Sequence, residues 1–309
     1  MNENSPQNSP FMQTLLKKVA DITGESVKEV RSINEDATQN KNFIVTTNSN
    51  TYFLKVYSEG SIHERTFELN ILRKLYDDGH AFPVQATAKP FVIEGRPVML
   101  FDKINGSTFN PRVSISDEHL LTVARQLAQM HASLSTFRAG DKMRLNALGF
   151  EFIDVFNLDT YDVTIKRAIH MLREAFRGVN TDELVTTIIH DDLSPHNVML
   201  SSDGELRFID FDDAHHSYRI SDIGTVIKEF IIGPTGNVDE DRINLFIHHY
   251  EATQNTPPLT DQERLLLTPM ILRRALFMYA YYSMVEKERH LYLQSGDEYR
   301  IVTTLTLVK

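Results

Sequence analysis

The sequence predicts an α+β fold: a small β-rich N-terminal part carrying one long helix, then a larger, mostly helical part. Three observations predict it. Short apolar runs separated by turn residues fill much of the first hundred positions. From Ser116 onward, apolar residues recur at helical spacing. Between the helices lies one strand-rich island, 185–214, which holds most of the chemistry-bearing side chains.

The elements follow in order. A short helix is expected over 11–22. Strands over 43–47 and 52–57 form a hairpin around Asn48-Ser49-Asn50. A helix over 61–77 stops near Gly79, a suitable C-terminal cap. Strands over 90–94 and 97–101 flank Gly95, and a hinge is placed at 101–106. Leu120, Leu121, Val123, Ala124, Leu127, Ala128, Met130 and His131 mark the next helix. Further helices are expected over 161–177, 222–232, 239–252, 261–282 and 283–294. Within the island, 198–200 and 206–209 pair as strands around Ser202-Asp203-Gly204-Glu205, with Gly204 free to take a positive φ.

Composition excludes several classes of chemistry. The chain has 309 residues, 41% of them hydrophobic, which is enough for a substantial core. Its net charge of -10 argues against nucleic acid or an anionic membrane as partner, since both attract basic patches. With no cysteine there is no disulfide, thiolate catalysis or Cys-bound zinc. Residues 1–10 are polar and read as a flexible tail without the apolar stretch of a signal peptide. No apolar run approaches the roughly 18 residues of a membrane helix. A cytoplasmic protein is expected, and no pattern sets its oligomeric state.

The island carries the chemistry. Its hairpin brings together its two outer ends, Asn197 and Asp210. An oxygen-ligand magnesium site needs donors from more than one chain segment. Asp192 precedes Asn197 by five positions, within His190-Asp191-Asp192-Leu193-Ser194-Pro195-His196-Asn197. Asp-Leu-x-x-x-Asn followed by Asp-Phe is the catalytic-loop and metal-loop pattern of phosphoryl transfer. Asp192 would orient or accept the proton of an acceptor hydroxyl, and Asn197 and Asp210 would hold Mg²⁺ against nucleotide phosphates. Any one of these residues alone reads equally well as turn decoration; the three together at this spacing do not.

A second site converges from the first third. Lys55 lies inside an apolar strand and shares a face with Phe53 and Tyr57. In the following helix, Glu64 and Glu68 fall on the stripe of Ile71, Leu72 and Leu75. A carboxylate on an apolar face needs a cation. Lys55 is the candidate, paired with Glu68 rather than Glu64 because Glu68 lies deeper in the stripe. Such a pair places an ammonium on the α- and β-phosphates of a nucleotide.

Together, 190–197 and Phe208-Ile209-Asp210-Phe211-Asp212-Asp213-Ala214 resemble the aminoglycoside phosphotransferase/choline kinase-like family. Its usual signature is His-Gly-Asp-Leu-His-Pro-x-Asn followed by Ile-Asp-Phe or Ile-Asp-Trp. The resemblance implies a bilobal protein kinase-like fold, with a nucleotide-binding lobe over 1–103 and a catalytic, substrate-binding lobe over 104–309. It implies ATP or GTP as donor, Mg²⁺, and a small-molecule acceptor: an aminoglycoside, choline, homoserine, a sugar or a hydroxylated amino acid. It also implies that His190 and Asp222, in Ser221-Asp222-Ile223-Gly224, brace the catalytic loop.

Two departures stand out. Asp191 replaces the family glycine, and 32–42 holds no glycine, so Thr38-Gln39-Asn40-Lys41-Asn42 must cover the phosphates, with Asn40 a nucleotide contact. Phe101, Lys103 and Ile104 are expected beside the nucleotide base, where backbone groups choose between ATP and GTP. Asp212 and Asp213 are candidates for an amine on the acceptor or for a second metal contact, and His215 and His216 for the acceptor pocket. Only twelve positions separate Asp210 from Asp222, too few for the activation loop of a protein-phosphorylating kinase, which favours a small acceptor. Two alternatives compete: a non-catalytic nucleotide-binding regulator, and a metal hydrolase using His190, Asp191, Asp192 and His196.

Overall fold

The computed structural model describes residues 9–33, 40–138, 161–233, 235–289 and 292–307. The chain divides into two compact units, 1–105 and 106–309.

In the first unit, helix α1 (Pro10–Thr23) starts where Ser9 Oγ accepts from the Met12 amide and Pro10 takes the first helical turn. The polar tail therefore ends by Ser9, and 1–8 lie outside the described residues. Strands β1 (Glu29–Ser32), β2 (Lys41–Thr46), β3 (Thr51–Val56), β4 (Phe91–Ile93) and β5 (Arg96–Asp102) form an antiparallel sheet in the order β1-β2-β3-β5-β4. The predicted hairpin is β2–β3, its turn closed by Thr47 N–H donating to Asn50 O at 2.9 Å. The alternation in β3 decides its faces. Tyr52, Leu54 and Val56 join Met12, Leu15 and Val19 of α1 in one core with Val45, Val98 and Leu100. Lys55 and Phe53 take the other face.

Helix α2 (Ile62–Asp77) opens on a capping box. Ser61 Oγ accepts from Glu64 N, and Glu64 Oε2 accepts from Ser61 N at 2.7 Å. Glu64 is thus a helix-start residue. Strand β1 was not anticipated, because only Val30 of its four residues is apolar and buried.

Among its described residues, the second unit holds two small sheets set among helices. Strands β6 (Gly106–Thr108), β8 (Val198–Ser201) and β9 (Leu206–Phe208) pair in the order β6-β8-β9. Strand β7 (Thr186–Ile189) pairs with β10 (His215–Tyr218). Its α-helices among the described residues are α3 (Asp117–Leu134), α4 (Val163–Phe176), α5 (Ile220–Val226), α6 (Glu240–Glu251), α7 (Asp261–Arg289) and α8 (Tyr292–Leu307). A π-helical stretch, Ile227–Ile232, continues α5.

Three expectations need correction. The break placed at 282/283 is absent, and α7 runs on to Arg289 because the stretch 281–289 contains neither Gly nor Pro. Asp222 does not start its helix but lies in the first turn, two residues after Ile220. His215 and His216 belong to β10, opposite Ile189 and Ile188, and both are buried in the strand pair rather than lining the pocket described below.

Candidate active site

The loop after β7 is fixed by one buried carboxylate. Asp222 is fully buried. Its Oδ2 accepts from the His190 amide at 2.7 Å and its Oδ1 from the Asp191 amide at 2.8 Å. His131 Nε2 of α3 donates to Oδ2 at 3.1 Å, and Tyr250 holds His131 Nδ1 at 2.7 Å. Burial alone would raise the Asp222 carboxyl. The hydrogen bond and charge of His131, with His190, hold it below the ordinary carboxylate range instead.

His190 braces the same loop from within. The Asp192 amide donates to its Nδ1 at 3.4 Å, so Nε2 carries the proton it gives to Ile209 O at 3.0 Å. Both ring nitrogens are therefore engaged, and the metal-hydrolase reading loses its first ligand. Among the described residues, no group of three or more His, Asp or Glu side chains is placed to hold a metal ion. Asp191 has φ +66°. The position where the resembling family has glycine is thus left-handed here, a conformation that Asp tolerates better than most residues.

Asp192 is held at both oxygens. Asn197 Nδ2 donates to Asp192 Oδ2 and to Asp192 O, each at 2.8 Å, and Arg274 Nη2 of α7 donates to Oδ1 at 2.6 Å. Its side chain keeps 41% of its surface exposed. The hairpin register brings Asn197 beside Ile209, whose amide donates to Asn197 O at 3.0 Å, with Asp210 next in chain. With Nδ2 committed to Asp192, the Asn197 amide offers Oδ1, and Asp210 offers a carboxylate. Such hard oxygen donors from two segments suit Mg²⁺.

Sequence reasoning missed Arg274, which opens a chain of ion pairs. Its Nε donates to Glu229 Oε1 at 2.9 Å, Glu229 meets Lys228 Nζ at 3.3 Å, and Lys228 meets Glu298 Oε1 at 2.6 Å. Burial alone would lower the Arg274 guanidinium; the Glu229 and Asp192 carboxylates raise it instead. Burial alone would raise Glu229, but Lys228 and Arg274 hold it low.

Lys228 and Glu229 stand in the π-helical stretch, an irregularity frequent at functional sites. Gly224 lets α7 come close: a Cβ there would lie 2.7 Å from Met270 Cβ and 2.9 Å from the Met270 carbonyl carbon. That approach seats Arg273 Nη1 on Ser221 Oγ at 3.1 Å and Arg274 on Asp192. A legible signal did exist: Lys228-Glu229 and Arg273-Arg274 are charge pairs inside otherwise apolar helical runs.

Asp192, Asn197, Lys228, Glu229, Arg274 and Glu298 line one pocket of about 230 Å³. Arg112 and the exposed His196 also border it. Asp212 and Asp213 do not; they occupy the 3₁₀ turn after Asp210, where Asp213 O bonds His215 Nδ1 at 2.8 Å.

The first unit gathers a separate buried cluster. Tyr57 Oη donates to the two Glu68 oxygens at 3.2 and 3.0 Å, and Arg65 Nη1 donates to Glu68 Oε2 at 3.0 Å. Lys55 Nζ lies 4.9 Å from the centre of the same Tyr57 ring, and Arg65 4.2 Å from it. Lys55 and Glu68 are both buried. Arg65 and Tyr57 were not anticipated as partners of Glu68. Asn40 Oδ1 accepts from Ser58 N at 3.2 Å, while Thr38 and Gln39 lie outside the described residues. Phe101 packs on Phe53, with 6.2 Å between ring centres, and Lys103 N donates to Thr51 O at 3.3 Å. Ile104 is half-buried at the end of this unit.

A family model described as "Phosphotransferase enzyme family" matches residues 29–255. A homoserine kinase of Methylobacillus flagellatus is 26% identical over 230 residues, covering 72% of this chain and 70% of its own. A spectinomycin phosphotransferase solved with ADP and spectinomycin superposes with a TM-score of 0.71 at 15% identity, over 96% of this chain and 97% of its own. The choline kinase LicA of Streptococcus pneumoniae gives 0.67 at 19% identity, over 95% and 98%. At these identities the two structures speak for the fold, the α+β protein kinase-like fold of small-molecule kinases.

Proposed function

This chain belongs to the phosphotransferase enzyme family, and from that premise we propose that it moves the γ-phosphate of ATP to a hydroxyl of a small acceptor, with Asp192 as catalytic base. The observation that carries the assignment is Asp192 held between Asn197 and Arg274 on the wall of a pocket sized for a small molecule. One oxygen is fixed by each neighbour. The carboxylate is therefore oriented in advance and can align the acceptor hydroxyl and take its proton as the new O–P bond forms and the γ-phosphorus parts from the bridging oxygen, which leaves on ADP. ATP as donor is supported by the ADP bound to the spectinomycin phosphotransferase.

Asn197 and Asp210 would hold Mg²⁺, which when bound neutralises charge on the phosphates. Lys55, kept in place by the Tyr57–Arg65–Glu68 cluster, would meet the α- and β-phosphates. Asn40 would touch the phosphates, and Phe101, Lys103 and Ile104 would border the base. Asp222 and His190 serve as positioning residues, because they set the loop that carries Asp192. The homoserine kinase relative places homoserine and related hydroxylated amino acids first among acceptors to try.

The test is Mg·ATP-dependent phosphorylation of a panel of such acceptors, including choline and an aminoglycoside. Asp192→Ala is expected to cut turnover about 10²-fold or more while nucleotide affinity survives. Turnover unchanged in that variant would remove Asp192 from the chemistry.

A further inference from the structure

Asp191 stands where the resembling family has glycine, and the chemistry of phosphoryl transfer gives it no role. Its backbone is left-handed, with φ +66°. A side chain there costs free energy that glycine would not, so it persists only where its surroundings hold it. Its amide is spent on Asp222 Oδ1 at 2.8 Å, a bond that glycine would make equally well. What sets aspartate apart at this position is therefore its carboxylate.

Opposite this loop, α7 carries two consecutive arginines. Arg274 Nη2 donates to Asp192 Oδ1 at 2.6 Å. Arg273, half-buried, donates from Nη1 to Ser221 Oγ at 3.1 Å. Ser221 adjoins Asp222, which holds the Asp191 amide, so Arg273 comes to the same corner of the loop as Asp191. Burial lowers the Arg273 guanidinium. The Asp191 carboxylate is the strongest charge acting against that lowering, while the neighbouring Arg274 adds to it. Two like charges set side by side out of water repel unless each has an acid of its own. Asp192 serves Arg274, which leaves Asp191 to serve Arg273.

We propose that Asp191 is a positioning residue: its carboxylate balances Arg273, so that Arg274 stays on Asp192 and the two aspartates of the loop take the two arginines of α7 in register. The inference rests on the phosphotransferase reading above and deepens it, by giving aspartate a task at a place where glycine has none. Without that carboxylate, Arg273 draws on Asp222 or competes with Arg274 for Asp192, and the base loses its orientation.

The experiment measures kcat, KM for Mg·ATP and KM for L-homoserine, or for the fastest acceptor of the panel, on the full-length protein. Asp191→Asn keeps the shape and the tolerance of a left-handed backbone but removes the charge. Asp191→Gly restores the residue of the resembling family, and Arg273→Met, alone and combined with Asp191→Gly, completes a double-mutant cycle. Asp191→Asn and Asp191→Gly are each expected to lose about tenfold in kcat, within the range over which coupled neighbours interact, with KM for ATP near wild type. Asp191→Gly should do so although it relaxes the backbone. Removing Arg273 as well takes away the unbalanced charge, so the double variant is expected to recover most of the lost kcat. Wild-type kcat in both Asp191 variants would overturn the proposal and leave Asp191 a mere stand-in for glycine. A loss that Arg273→Met does not relieve would overturn it too, because Asp191 would then not act through Arg273. So would a lower Tm with unchanged kcat, the mark of a purely structural tie. Asp191→Asn carries the test if Asp191→Gly fails to fold, and Arg273→Gln replaces Arg273→Met on the same ground. If wild type phosphorylates no acceptor and does not bind Mg·ATP, the phosphotransferase reading fails, and this proposal with it.

Discussion

At the scale of the residue, the loop of Asp192 depends on Asp222, a carboxylate four positions into the segment Arg219-Ile220-Ser221-Asp222. It spends its charge on two backbone amides and one imidazole. Its carboxyl is held below its unfolded value of 3.8. The stability it contributes is therefore fully present above about pH 4 and is lost as pH falls through the lower, folded value. Asp222→Asn should destabilise the protein by ~2–3 kcal/mol at pH 7. The gap to wild type should narrow as unfolding is measured at progressively lower pH below about 4. A gap independent of pH would mean that the carboxylate's charge is not what the loop uses. The grouping of Asp192, Asn197 and Asp210 was legible from spacing alone, because one loop and one hairpin carry all three. Arg274 and Glu298 lie far along the chain from that loop, and no local pattern links them to it.

At the scale of the element, the crossing of α5 and α7 places the second group of charges. Gly224 leaves no room for a Cβ against Met270, and three residues further along α7 stands Arg273, followed by Arg274. Gly224→Ala should force the helices apart, at a cost of about 1–3 kcal/mol. It should lower both Tm and turnover, since Arg274 would lose its place on Asp192. A normal Tm with normal turnover would show that the crossing can relax without disturbing the site. Periodicity located most helices to within a residue or two, and the caps at Ser9, Ser61 and Ser116 show why: each serine accepts from an amide of the first turn. It could not locate β1, β6 or β10. These strands are three or four residues long; β6 and β10 are held by partners distant in sequence, as Gly106 is by Ser201, and β1 has a single buried apolar residue. It also could not see the π-helical stretch that puts Lys228 and Glu229 side by side in the pocket.

At the scale of the whole molecule, ligand binding should report on the chemistry directly. A nucleotide that binds only the folded chain stabilises it by RT ln(1 + [L]/Kd), about 2.7 kcal/mol at a hundredfold excess over Kd. Mg·ATP should therefore raise Tm, and ATP with chelator should raise it far less. Asp210→Ala should erase that difference. A rise independent of Mg²⁺, or unchanged in Asp210→Ala, would remove Asp210 from the metal site. No helix among the described residues is long and apolar enough to cross a membrane. What the sequence determined by itself was everything written in local spacing: the α+β class, the hairpin, the Asp-Leu-x-x-x-Asn loop and the family. Each depends on residues close enough in chain for periodicity or turn chemistry to act. Only the tertiary structure decided which charges meet: Arg65 on Glu68, Arg274 on Asp192, Lys228 between Glu229 and Glu298. A buried charge takes its partner from whatever element packs against it, and that packing is fixed by the core as a whole rather than by neighbours in sequence.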